Sequence, residues 1–288
     1  MEYEGRVFRP PSEGRSLIIQ ATIGCSHNRC RFCTMYREKK FRMRSSDEII
    51  EELRGLKNYY DYYKRVFLAD GDAMGMPTSE LMRILTFIRE EIPQINRVGI
   101  YAHGKNLLGK SVEELKKLKE AGLGIAYIGL ESGSDRVLSQ MNKGISVGEC
   151  VEGALRAKEA GMKVSVMLIS GLGGRKLMKE HAVESARAVN RIKPNYLSLL
   201  TLMLDESAEI MRDIEKGRFE LLSPEEVLDE ARIFLQETSL DKTIFRSNHA
   251  SNYLAMEGVL GRDKEKLLRE IEEAIEEEDY KEEFFRGL

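Results

Sequence analysis

A chain of 288 residues and 32.9 kDa, 42% of it hydrophobic, is long enough to bury a sizeable core as one large α/β barrel or as two small domains. A net charge of −3 and a pI near 6.0 argue against a polyanion held by bulk electrostatics, so nucleic acid is a disfavoured partner. No apolar run approaches the length of a membrane span, and four cysteines without an obvious pairing fit a reducing compartment, so the expectation is a soluble, cytoplasmic protein with no membrane partner.

Taken in order, Ser16 to Ile23 is an apolar, β-branched run closed by Gly24, and it reads as a buried strand feeding a polar loop. That loop holds Cys25, Cys30 and Cys33 in a C-x4-C-x2-C spacing. Three thiols this close suit a metal centre better than disulfides, which would leave one of them unpaired. Three ligands on a four-iron cluster leave one iron open to an exogenous partner. A structural zinc site wants four closed ligands and would need His27 to complete a Cys3His set. The loop continues through a basic stretch, Arg29, Arg31, Arg37, Lys39 and Lys40, suited to offsetting an anionic cluster or docking an acidic electron donor.

Ser45 or Ser46 then caps a helix carrying Ile49, Ile50, Leu53 and Leu56 at helical spacing. Val66 to Ala69 is a second strand, and Leu81, Ile84, Leu85 and Ile88 mark the helix after it. Arg97 to Tyr101 is a third strand followed by a helix over Ser111 to Lys119, and Ile125 to Leu130 a fourth followed by helical segments over Asp135 to Gln140 and Val147 to Ala160. Cys150 falls on the last of these as a core or surface thiol. Lys163 to Ile169 is a fifth strand, Lys176 to Ile192 a helix, and Tyr196 to Leu202 a sixth strand. Helical patterns over Glu206 to Glu215 and Pro224 to Thr238, a short extended piece from Thr243 to Arg246, and a charged helix from Asp263 complete the chain. Six strand-helix repeats with short turns imply a parallel sheet, and periodicity alone leaves doubly wound and barrel arrangements both open.

In such sheets ligands gather beyond the carboxyl ends of the strands. Those ends here are Asp70-Gly71-Asp72, His103, Glu131-Ser132-Gly133 and Gly171-Leu172-Gly173-Gly174. Asp-Gly also reads as a plain turn, Ser134 also reads as a helix cap, and the Gly171 segment lacks the Lys-Ser/Thr pair of a phosphate loop. Candidate catalytic or substrate-contacting residues are His103, Arg175, Arg246 and His249, the last two near Asn252 and Tyr253.

The cysteine loop resembles the cluster loop of the radical S-adenosylmethionine (SAM) enzymes, whose commoner spacing is C-x3-C-x2-C with an aromatic residue directly before the last cysteine. Phe32 takes that aromatic place, and the first gap here is one residue longer. Asp70-Gly71-Asp72 looks like the family's Gly-Gly-Glu element, with Asp replacing the first Gly and the Glu. Gly129 to Asp135 resembles a segment of methylthiotransferases and coproporphyrinogen-oxidase-like members, and Val166 to Gly171 resembles a degenerate Gly-x-Ile-x-Gly adenine contact. The resemblance covers roughly Ser16 to Leu202. It implies a partial (β/α)6 TIM-type barrel over residues 16–205, after an N-terminal segment 1–15 and before a C-terminal helical extension 206–288 packing on the barrel.

By the same resemblance, Cys25, Cys30 and Cys33 would hold a [4Fe-4S] cluster, and Phe32, Gly71, Asp72, Glu131, Ser132 and Gly171 would contact SAM. The implied activity is reductive cleavage of SAM to a 5′-deoxyadenosyl radical acting on a small-molecule or small peptide-like substrate. The implied partner is a ferredoxin or flavodoxin-type electron donor, and the cluster would be oxygen-sensitive. Two rival readings come from the residues themselves: a non-catalytic iron-sulfur or zinc-binding scaffold or regulator, and a zinc hydrolase using Asp70 or Asp72 as base.

Overall fold

The computed structural model describes residues 3–287, so Met1 and Glu2 of the expected N-terminal segment and Leu288 of the expected extension lie outside the described residues. In chain order the elements are β1 (Leu17–Gln20), β2 (Thr22–Ile23), β3 (Arg42–Met43), α1 (Ser46–Gly55), β4 (Arg65–Ala69), α2 (Thr78–Glu91), β5 (Arg97–Ala102), α3 (Gly104–Leu108), α4 (Val112–Glu120) and β6 (Leu123–Glu131). They continue with α5 (Asp135–Gln140), α6 (Val147–Glu159), β7 (Lys163–Ser170), α7 (Gly174–Ile192), β8 (Tyr196–Thr201), α8 (Met211–Glu215), α9 (Pro224–Glu237), β9 (Ile244–Ser247), β10 (Met256–Val259) and α10 (Lys264–Glu276). Eight strands form a mostly parallel sheet in the order β1-β4-β5-β6-β7-β8-β9-β10, an α/β architecture consistent with the expected partial TIM-type barrel. Strands β2 and β3 form a separate antiparallel pair.

By compactness the chain divides into two units, one of Met1–Asn28, Met35–Ile128 and Glu152–Val164, the other of Arg29–Thr34, Gly129–Val151 and Ser165–Leu288. In the first, β1 pairs in parallel with β4, β4 with β5, and β5 with β6. Val66, Phe67, Leu68 and Ala69 of β4 are all wholly buried, as expected of a parallel strand covered on both faces. Phe67 meets Tyr101 and Tyr127 edge-to-face, at centroid distances of 4.9 and 5.6 Å. Below them the wholly buried Glu13 accepts from Arg97, Ser16 and Tyr127, so its charge is compensated inside the core. Helices α1 and α4 each start with a complete capping box, Ser45 with Glu48 and Ser111 with Glu114, worth about 1 kcal/mol each.

In the second unit β7 pairs in parallel with β8 and β8 with β9, while β10 runs antiparallel to β9. Helix α7 buries Leu177, His181, Ala182, Ser185, Ala186 and Val189 and packs against α9, which starts at a Ser223–Glu226 capping box with Pro224 in its first turn. No described helix is long and apolar enough to cross a membrane.

The structure differs from the sequence expectation at four places. The strand expected over Ser16 to Ile23 breaks at Ala21, whose N–H stays on Ala69 O at 3.2 Å while Thr22 and Ile23 leave the sheet to pair with Met43 and Arg42. Helix α3 follows β5 at once, capped by His103 rather than by one of the usual Ser, Thr or Asp signals. The helix expected over Glu206 to Glu215 forms only as α8, because the Asp205 carboxylate takes the Ser207 N–H at 2.8 Å and holds that stretch in a turn. The extended piece expected over Thr243 to Arg246 forms as β9, and with the unexpected β10 it lengthens the sheet and covers the edge that β8 would otherwise leave unpaired.

Candidate functional site

The cysteine loop leaves and rejoins the structure at fixed points. Its two ends are closed by the β2–β3 ladder, in which Ile23 faces Arg42. Gly24 turns through φ +78° and donates its N–H to the Asp70 carboxylate at 2.8 Å, while Gly71 N–H returns to Gly24 O at 3.0 Å. Asp70 is wholly buried, and the same oxygen also accepts from the Lys39 ammonium at 2.8 Å and the Gln20 amide at 3.3 Å. Gly71 has no room for a side chain. A Cβ there would lie 2.8 Å from Cys25 Cβ and 2.9 Å from the Tyr36 ring, so only glycine allows this backbone to close on Cys25.

The stretch 29–34 is anchored within the second unit. Arg31 N–H donates to Met141 O at 2.9 Å, Arg31 O accepts from Ile210 N–H at 3.0 Å, and the Arg31 guanidinium binds Glu209, Asp213 and Gln140 O. Asn142 donates to Arg29 O at 3.0 Å. Phe32, half-buried, packs on the cluster of Val137, Met141, Leu172, Leu177, Ile210 and Phe219 and thereby fixes the backbone on which Cys33 sits. Of the basic residues of this loop, Arg31 and Lys39 are therefore spent on internal ion pairs, whereas Arg29, Arg37 and Lys40 are exposed.

Cys25, Cys30 and Cys33 are each half-buried and joined in no disulfide, and Cys150 on α6 is buried. This donor set suits a thiophilic metal or an iron-sulfur group, and it lacks a fourth thiol. Among the described residues no group of three or more His, Cys, Asp or Glu side chains is gathered so as to hold a metal ion.

The strand ends share one backbone device. Gly24, Asp70, Glu131 and Gly171, each at or just past the end of a strand, have φ of +78°, +68°, +63° and +82°. Left-handed Asp and Glu cost conformational energy, and such strain concentrates at functional sites. After β4, Asp72 is almost wholly buried and bonded to Ser26 and Asn106; burial pushes its carboxyl above the usual range, against those bonds and the Lys110 ammonium. Lys110, itself lowered by burial, donates to Met76 O at 2.8 Å. At the end of β6, the Glu131 carboxylate folds back over Gly129 and pairs with the buried Lys143 at 2.9 Å. Lys143 also feels the Cys30 and Cys150 thiols, and these negative neighbours hold its ammonium charged despite burial.

Ser132 is wholly buried. Its hydroxyl is bonded to His181 Nδ1 at 2.7 Å and accepts from Ser134 N–H at 3.0 Å. His181 Nε2 donates to Ile169 O at 3.0 Å and lies 3.8 Å from the Glu230 carboxylate. Glu230, 2% exposed, accepts from Ser170 Oγ and from Gly171 N–H, both at 2.7 Å and both on Oε1, and its Oε2 has no partner among the described residues. Burial raises its carboxyl, with His181, Ser170 and Gly171 pulling the other way. The order Ser132, His181, Glu230 is that of a hydrolytic triad, but a serine with no exposed surface is a brace rather than a nucleophile.

The four candidate catalytic residues are placed differently from one another. His103 caps α3 through Nδ1, which accepts from Lys105 N–H at 3.4 Å. Arg175 is exposed and forks onto Glu226 at 2.7 and 3.0 Å, with Glu220 beside it. Arg246 pairs with Glu257, its neighbour across the β9–β10 ladder. His249 is half-buried past the end of β9 with Nδ1 accepting from Ser251 N–H at 3.1 Å, and burial, then Lys281, push its imidazole down. Sequence reasoning missed Lys143, His181 and Glu230. One signal was available for Glu230: it interrupts the apolar face of α9 formed by Val227, Leu228, Ala231, Phe234 and Leu235.

A sequence profile of the Radical SAM superfamily matches residues 19–189. Among curated proteins, a heme chaperone of Bacillus subtilis is 24% identical over 160 residues, covering 55% of this chain and 41% of its own length. The chain thus spans less than half the length of the curated relatives it matches. Methylornithine synthase superposes with a TM-score of 0.54 at 16% identity, over 89% of this chain and 80% of that one. Coproporphyrinogen III oxidase of Escherichia coli, described as a radical SAM enzyme, superposes with a TM-score of 0.56 at 18% identity over 77% and 52%. At such identities the likeness establishes fold.

Proposed function

The chain belongs to the radical SAM superfamily, and from that premise we propose that it binds a [4Fe-4S] cluster through Cys25, Cys30 and Cys33 and cleaves SAM reductively to a 5′-deoxyadenosyl radical. The superfamily's cofactors are this cluster and SAM. When bound, the cluster supplies the open iron and the electron for that cleavage. The observation that carries the reading is three thiols within nine positions, none in a disulfide, on a loop whose first thiol sits where Gly71 closes on Cys25 without room for a side chain.

The chain's own residues then bind and orient SAM. In this reading Asp72 and Gly71 receive the amino end of SAM, Glu131 faces the ribose or methionine end with Lys143 compensating its charge, and the open Gly171 turn lies against the adenine. Phe32 fixes the thiol-bearing backbone. Ser132 acts from behind Glu131, since its hydroxyl is already taken by His181. Of the candidate substrate residues, Arg175 and Arg246 are held in surface ion pairs and His103 in a helix cap, so His249, half-buried past β9, is the one we retain for contact with a small substrate. Exposed Arg29, Arg37 and Lys40 suit docking of an acidic ferredoxin or flavodoxin-type donor.

The test is anaerobic reconstitution with iron and sulfide, followed by incubation with SAM and dithionite. Release of 5′-deoxyadenosine by wild type, and none by Cys30→Ala, is the expected outcome. Wild type with an intact cluster and no 5′-deoxyadenosine would overturn the proposal.

A further inference from the structure

Two buried polar side chains, one on α7 and one on α9, are unexplained by packing. Helix α7 is the crossover after β7, and α9 lies in the C-terminal part of the chain beyond residue 205. Each puts a polar group on a largely apolar helix face and aims it at a strand end. His181, 2% exposed, holds the hydroxyl of Ser132, the residue after Glu131. Glu230, equally buried, places one oxygen between the Ser170 hydroxyl and the Gly171 N–H. Replacing a buried charged or polar pair by well-packed apolar side chains of similar size is often neutral or stabilising, so such a pair is weak evidence for stability and better evidence for placement.

The two side chains also share a cavity. It is about 10 Å³, lined in part by Ser170, His181, Ser185 and Glu230, and large enough for one water. Glu230 Oε2, without a partner among the described residues, is a ready anchor for that water.

We propose that His181 and Glu230 are positioning residues for SAM: from α7 and α9 they fix the Glu131–Ser132 end of β6 and the Gly171 turn after β7, so that the C-terminal region helps to shape the cofactor face. Gly171 sits at φ +82°, a conformation only loosely specified by a glycine's own preferences. Its N–H has one acceptor, and that acceptor belongs to α9. The inference rests on the reading of these two strand ends as SAM contacts.

The test uses reconstituted full-length protein and four variants. Glu230→Gln keeps the Oε1 acceptor, and Glu230→Met fills the volume without it. His181→Asn keeps a polar atom near the Nδ1 position, and His181→Leu removes both ring nitrogens. Iron per chain, SAM affinity by equilibrium dialysis and amide exchange at Gly171 are measured on each. Glu230→Met and His181→Leu should retain iron yet bind SAM about tenfold more weakly, the fold-change a lost 1.4 kcal/mol gives. Glu230→Met should also speed exchange at Gly171, and the Gln and Asn variants should stay within about twofold of wild type. If one apolar variant fails to fold, the other still decides the matter, because the two act through different strand ends. Wild-type affinity in the apolar variants, or loss of affinity in the conservative ones to the same extent, overturns the positioning role. Iron-loaded wild type that binds no SAM instead overturns the proposed function, and this inference with it.

Discussion

At the scale of single residues, the position with least freedom is Gly71. A Cβ there would meet the Cβ of Cys25 at 2.8 Å and the Tyr36 ring at 2.9 Å, and since Cys25 Cβ is one bond from the backbone, the backbone itself must move. Gly71→Ala is therefore expected to fold, with unchanged circular dichroism, and to lose most of its iron after reconstitution; full iron loading in a folded Gly71→Ala protein would remove Gly71 from the site. Glu230 carries a prediction of pH dependence. Its folded carboxyl lies above the ordinary 4.5 because it is buried, so between that value and its raised one the folded chain keeps a proton that the unfolded chain releases. Stability is then lost as pH rises through this window, and Glu230→Gln escapes the loss. The melting temperature of the Gln variant should gain on wild type as pH rises above the ordinary carboxyl value of 4.5, and a gap that does not change with pH would show that the carboxyl titrates normally.

At the scale of elements, what was legible in the sequence was what rests on local rules. Helices α1, α4 and α9 announce themselves by a serine three residues before a glutamate and an apolar stripe behind it, and the strands β4, β6, β7 and β8 by largely apolar runs. The C-x4-C-x2-C spacing was legible as a pattern, and its role as a cluster loop is the proposal made above. What was not legible depends on distant partners. Nothing local to Thr22 and Ile23 says that they leave the sheet, since the reason is Arg42 and Met43, about twenty residues on. Asp70 reads as a turn residue until Gly24, Gln20 and Lys39 are seen to converge on it. The caps offer a check that separates stability from site chemistry. Ser223→Ala removes the acceptor of the Glu226 N–H at the start of α9 and should cost about 1 kcal/mol in denaturant unfolding, with iron loading unchanged. An equally large loss of iron would mean that α9 governs the cysteine loop, which no contact of Ser223 suggests.

At the scale of the whole molecule, the question is whether residues 206–288 could be removed to leave a self-sufficient core. The second unit argues otherwise. Without those residues β8 loses its parallel partner β9 and presents a bare edge from Tyr196 to Ser198. Helix α7 loses α9 over its buried face, and Ser170 and Gly171 lose the carboxylate that accepts from both. Phe32, on the cysteine loop, loses Ala208, Ile210 and Phe219 from the cluster it packs on. An interrupted core of this kind, with unpaired backbone and an exposed apolar helix face, favours a molten or aggregated state over a smaller native one. A chain ending at residue 205 should therefore be recovered as insoluble material, or as soluble protein that binds a hydrophobic dye and melts without cooperativity. A soluble, monomeric and cooperatively unfolding 1–205 fragment that still loads iron would instead establish the core as an independent domain and reduce the C-terminal region to an accessory.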